Sequence, residues 1–136
     1  MQFIDTHAHT YDEAFQGDLD ATISSAQEAR IGKILMPNID VESIEPMFAI
    51  QEKYPNCIPM MGLHPAYVKG DWEKQLEKIE SYLFADPKRF CAIGEIGMDL
   101  YWDKTYIEEQ KIAFIQQIQW AKKLDLPIAI HARDAF

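Results

Sequence analysis

With 136 residues, 48% of them hydrophobic, and a net charge of −9, the chain has material for one core under an acidic surface. That charge argues against a general nucleic-acid-binding protein, which needs a basic footprint, but allows one or two phosphate contacts at a chain end beside bound cations. No run approaches the ~18 apolar residues of a membrane span, the N-terminus has no signal-like start, and two cysteines without repeated spacing read as reduced thiols of a cytoplasmic protein.

A first strand is expected over about residues 2–7, running into Asp5-Thr6-His7-Ala8-His9. Leu19, Ile23, Ala26 and Ala29 recur at helical spacing, so a helix is expected over about 18–30. Lys33-Ile34-Leu35-Met36-Pro37 is the second strand. Asp40 or Ser43 would cap a second helix carrying Ile44, Met47, Phe48 and Gln51 through about Tyr54, where Pro55-Asn56 breaks it. The third strand runs from about Cys57 to Leu63 and leads into His64-Pro65. Asp71 would cap a third helix with Trp72, Leu76, Ile79 and Leu83 along one face, stopped at Asp86-Pro87. The fourth strand is expected over about 90–96 and would end near Glu95. A fourth helix over about 105–124 presents Ile107, Ile112, Phe114, Ile115, Ile118 and Ala121. Leu126-Pro127 ends it and opens a fifth strand closing on His131. Met47 and Trp120 read as core.

Strands that alternate with helices form a parallel sheet, and short apolar strands suit one covered on both faces. An open doubly wound sheet and part of a (β/α)8 barrel both fit. No Gly-x-Gly-x-x-Gly turn follows the first strand, which removes the best support for a mononucleotide fold. Polar ligands at the C-terminal ends of strands one, four and five point to the barrel. A complete barrel takes ~250 residues, so five strands and four helices are expected to be the N-terminal part, residues 1–136, of a single barrel domain.

All four histidines fall where an expected strand gives out, and Glu95 shares that address. On a strand, residues two apart face the same way, so His7 and His9 could reach one ion, with Asp5 and Thr6 orienting a ring. Glu95, between Gly94 and Gly97, could bridge two ions through its two oxygens, the glycines letting the backbone pass close to a ligand. His131 offers another imidazole, and Arg133 a guanidinium that could grip phosphate or pair with Asp134. His64 would touch substrate, shuttle a proton or be structural. Asp99 would face a ligand or serve a turn. Tyr67, Tyr101 and Trp102 fall in adjacent loops, where they could stack on bases or pack on the barrel rim.

Four segments in order, Asp5-Thr6-His7-Ala8-His9, Gly62-Leu63-His64-Pro65, Gly94-Glu95-Ile96-Gly97-Met98-Asp99 and Leu126 through Arg133, resemble the serial signatures of the TatD family of metal-dependent deoxyribonuclease-like hydrolases, within the amidohydrolase superfamily. Gln110, Phe114 and Gln117 resemble the family's helix before the fifth strand. The resemblance implies a (β/α)8 barrel with two divalent ions at its mouth: His7 and His9 on the first, Glu95 bridging, His131 on the second. It implies two more ligands, a histidine after strand six and an aspartate after strand eight, which this sequence does not reach. It further implies metal-assisted hydrolysis of a phosphodiester, with a DNA end as substrate and His64 and Arg133 steadying the phosphate. Zinc, manganese, nickel, cobalt or iron would suit these ligands, magnesium less well. A related amidohydrolase cleaving an ester or amide, aminoacyl-tRNA included, would use the same ligands. An inactive half-barrel that self-associates through exposed sheet edges is the reading from a different class.

Overall fold

The computed structural model describes residues 1–135. Strands and helices alternate as β1 (Phe3–Asp5), α1 (Leu19–Glu28), β2 (Ile31–Pro37), α2 (Ile44–Lys53), β3 (Cys57–Met60), α3 (Trp72–Ala85), β4 (Ile93–Asp99), α4 (Ile107–Leu124) and β5 (Ile128–Arg133). Single turns of 3-10 helix occupy Glu13–Phe15, Pro65–Tyr67 and Pro87–Arg89. The pairing is parallel throughout these strands and follows chain order: β1-β2-β3, then β4-β5, joined by a parallel bridge between Met61 and Ile93. A doubly wound sheet would reverse direction at a switch point; this series does not, so it is an arc of a (β/α)8 barrel.

The core holds the arc to its helices. Met36, Ile44, Met47, Met61, Leu76, Ile79, Leu83, Ile93 and Ile96 are fully buried, one or more from nearly every layer. Each such side chain contributes roughly 1.5–3 kcal/mol of transfer free energy. Trp120 and Met47 are in this core, and Trp120 finds an acceptor in Glu80 Oε1 at 3.0 Å. Cys57 is buried at the start of β3 and Cys91 is half-buried; both are free thiols.

Five expectations need correction. β1 ends at Asp5, so His7 and His9 stand in the loop beyond it rather than on a strand. The reason is local: Asp5 Oδ1 accepts the His7 backbone N–H at 3.0 Å, spending the carboxylate on a turn instead of on an imidazole ring. β4 starts and ends three residues late, which puts Glu95 inside the strand and Asp99 at its end. β5 likewise continues through His131 to Arg133. In α4, Ile112 and Ile115 are exposed, 53% and 57%, while the buried line is Gln110, Ala113, Gln117, Trp120 and Ala121. Two amides therefore displace isoleucines from the packed face, for a reason visible at the site. Asp71 and Ser43 sit at N-cap positions without capping their helices: Asp71 Oδ1 accepts from Gln75 Nε2, and the Ser43 hydroxyl donates to Asn38 Oδ1.

The glycines around Glu95 have a tertiary reason. A Cβ on Gly94 would come within 2.7 Å of the Ala129 Cβ, and one on Gly97, whose φ is +144°, would strike the His131 carbonyl oxygen. It is β5, not a ligand, that passes close to the backbone here.

Candidate metal centre

Glu95 projects from β4 into a ring of imidazoles drawn from β1's loop, β3's loop and β5. Its Oε2 lies 3.2 Å from His7 Nε2 and 3.6 Å from His9 Nε2, and those two nitrogens are 3.2 Å apart. Its Oε1 lies 2.9 Å from His131 Nδ1 and 3.7 Å from His64 Nε2, which are themselves 3.2 Å apart. Two groups of three possible metal donors, His7-His9-Glu95 and His64-Glu95-His131, thus share one carboxylate through different oxygens.

These spacings can be tested against a metal. Donors ~2.0–2.1 Å from a tetrahedral ion lie about 3.3 Å from one another. The His7-His9-Glu95 separations of 3.2, 3.2 and 3.6 Å match that edge length. Nitrogen and carboxylate oxygen donors suit borderline divalent ions. Residues from 7 to 131 converge here, so scattered surface histidines are excluded as an account.

Hydrogen bonds on the far side of each ring sort the imidazoles. Asp99 Oδ2 meets His131 Nε2 at 2.9 Å. Burial alone would raise the Asp99 pKa, but the Tyr101 backbone N–H, the His131 hydrogen bond and the nearby Arg133 charge bring it below the usual value. An ionised carboxylate only accepts, so His131 Nε2 carries a proton and Nδ1 presents its lone pair to the shared centre. His64 is different. Its Nδ1 accepts the Ala66 backbone N–H at 3.1 Å, N-capping the turn Pro65–Tyr67. The proton of neutral His64 is therefore on Nε2, which points an N–H into the site. Burial lowers the His64 pKa to about 4, outweighing the Glu95 carboxylate, so the ring is neutral near neutral pH. Burial pushes the Glu95 carboxyl up, but the imidazoles packed around it, those of His9, His64, His131 and His7, take it down to about 2.

The backbone beneath these rings is clamped from α4. Gln117 Oε1 accepts the Leu63 N–H at 2.6 Å and its Nε2 donates to the Leu63 carbonyl at 3.2 Å, one residue before His64. Gln110 does the same for Asp99, at 2.9 and 3.1 Å. On the other flank buried Asn38 donates to the Gly62 and Asp40 carbonyls, and its own carbonyl accepts the Glu95 N–H at 3.3 Å. Sequence reasoning missed these clamps as such. The available signal was the register of Gln110 and Gln117 with Ala113, an amphipathic face with amides where apolar residues belong.

Arg133 lies over Tyr101 at 3.9 Å and Trp102 at 5.3 Å, and forms no ion pair with Asp134 among the described residues. Trp102 is 74% exposed and forms an edge-to-face pair with Tyr101. Beside the histidines a cleft of about 280 Å³ opens between Tyr11, Asp12, Ile39 and Tyr67, reaching His9, His64 and Glu95. Tyr11 was not foreseen as a site residue; its hydroxyl lies 2.8 Å from His9 Nδ1.

The family model described as TatD related DNase matches residues 4–136. The chain is 35% identical over 132 residues to the uncharacterized metal-dependent hydrolase YjjV of Escherichia coli K12, covering 97% of this chain and 51% of that one. The crystal structure of YjjV superposes with a TM-score of 0.88 over the same shares. The 3'-5' ssDNA/RNA exonuclease TatD of Escherichia fergusonii is 30% identical over 121 residues, 89% of this chain and 46% of that protein. The chain thus spans about half the length of the curated relatives it matches.

Proposed function

This chain belongs to the TatD-related DNase family, and on that footing we propose that residues 1–136 are the N-terminal part of a single-barrel, two-ion phosphodiesterase of the amidohydrolase superfamily. It would act on single-stranded DNA ends in the cytoplasm. The observation that carries this reading is the division of Glu95, one oxygen toward His7 and His9 and the other toward His131. His7 Nε2, His9 Nε2 and Glu95 Oε2 would hold one ion; Glu95 Oε1 and His131 Nδ1 would hold the second. When bound, such ions supply positive charge for the phosphate oxygens and an activated water.

The remaining roles belong to this chain's own groups. His64, neutral with its proton on Nε2, donates a hydrogen bond to a phosphoryl oxygen. Asp99 keeps His131 in the productive tautomer. Arg133, braced on Tyr101, reaches a phosphate as a fork, and exposed Trp102 offers a face on which a base stacks. The relative named as a single-strand exonuclease supports a nucleic-acid substrate over an ester or amide. No helix among the described residues is long and apolar enough to cross a membrane, and both cysteines are free, which supports a reducing compartment.

The test uses this chain and a chimera joining it to the remaining half of the Escherichia coli relative. Each is given labelled single-stranded DNA or an ester substrate, with cobalt, manganese or zinc and with a chelator. Metal-dependent shortening of DNA supports the reading. Ester cleavage with intact DNA replaces it by the amidohydrolase alternative. For the chain alone we propose self-association, since Phe3 and Ile4 on β1 and Ile128 and Ile130 on β5 are 37–58% exposed on the two outer strands. A stable monomer in size-exclusion chromatography would remove that part.

A further inference from the structure

We infer that Tyr11 is a positioning residue that sets the tautomer of His9, a role resting on the reading of His9 as a metal ligand. A tyrosine hydroxyl has one hydrogen and two lone pairs. Its hydrogen has a committed destination: Tyr11 Oη lies 2.6 Å from the Pro37 carbonyl oxygen, which can only accept. Toward His9 Nδ1, 2.8 Å away, the same oxygen can then only accept, so Nδ1 must carry the proton.

With Nδ1 protonated, neutral His9 has a bare Nε2. That nitrogen faces the Nε2 of His7 at 3.2 Å and Oε2 of Glu95 at 3.6 Å, where a lone pair is required for coordination. The relay runs from the end of β2, through Tyr11 and the His9 ring, into the centre. It matters more for His9 than for its neighbours, because His9 lies on a loop whose backbone gives the ring no strand to lean on. A free imidazole favours the opposite tautomer, with Nε2 protonated; Tyr11 overrides that preference before any ion arrives. Outer partners of ligating histidines are generally worth 10–100-fold in metal affinity.

Two measurements test this. In the metal-free chain at about pH 8, above the ordinary histidine range, nitrogen-15 NMR of the His9 ring should show Nδ1 protonated and Nε2 bare. That readout needs no variant, metal or substrate, so it stands or falls apart from the hydrolase reading. Tyr11→Phe should then shift the ring toward the Nε2-protonated form and weaken cobalt binding ~10–100-fold, while Tyr82→Phe, remote and bonded to Glu45, should leave both unchanged. A wild-type ring protonated at Nε2, or a Tyr11→Phe chain with wild-type cobalt affinity, overturns the inference.

Discussion

The two sides of Glu95 are built differently. His131 stands on β5 with its outer nitrogen gripped by Asp99, and His64 follows Leu63, whose backbone Gln117 clamps; their side chains are 20% and 13% exposed. His7 and His9 stand on a loop, 45% and 31% exposed, with Tyr11 as the one outer partner of either ring among the described residues. Strand-borne ligands are positioned by the fold before metal arrives. Loop-borne ligands depend on a few hydrogen bonds and on the ion itself. The His131 side is therefore the preorganised half, and the His7-His9 side the adaptable one.

The largest test removes what the two sides share. Glu95→Gln keeps shape but halves the carboxylate's capacity to bind, and should weaken binding on both sides by more than the roughly 100-fold that outer partners cost. Metal analysis after dialysis reads it directly; loss of one ion alone would mean that Glu95 does not serve both. Next, His7→Ala and His131→Ala should each lower occupancy on their own side only. If either empties both, the two groups are one site.

A smaller effect separates the scaffolds. Gln117→Leu fills the space but strands the Leu63 N–H and carbonyl, costing about 1–3 kcal/mol for each unsatisfied group. Thermal unfolding should fall by several degrees, and the His131 side should loosen while His7 and His9 stay as they were. Unchanged melting would remove the clamp from the account of preorganisation.

The smallest effect is one of pH. The His64 pKa is lowered on folding from 6.5 to about 4, so the folded state binds fewer protons than the unfolded one between those values. Its stability is complete above about 6.5 and lost as pH falls toward 4, by up to about 3 kcal/mol. In the metal-free chain, melting temperature should drop over that window, and His64→Gln should flatten the drop. A slope that survives the substitution would assign it to other groups.

Much of this was legible from residue order. Apolar strands alternating with amphipathic helices dictate a parallel series, and each ligand residue falls on or just beyond one of its strands, His7 and His9 past the end of β1 and Glu95 and His131 within β4 and β5. Boundaries were the part that moved. The expected end of β4 near Glu95 gives way to a strand that runs on through Gly97, where β5's carbonyl crowds in and only glycine fits. The α4 face differs from expectation for a related reason: periodicity counts isoleucines as buried, while the Gln110 and Gln117 amides are buried because they satisfy the backbone of Asp99 and Leu63.

By itself, then, the order of amino acids settled which elements form, how they follow one another and which side chains are equipped to bind an ion. Only the folded chain decided which nitrogen of each ring faces inward, which oxygen of Glu95 each side uses, and that His64 presents an N–H where its neighbours present lone pairs. The physical reason is that a proton's place on an imidazole is set by its hydrogen-bond partner. Asp99 lies 32 residues from His131, and Tyr11, two residues from His9, has its own proton committed by the Pro37 carbonyl 26 residues further on. No local pattern reports a contact that exists only once the strands are in register.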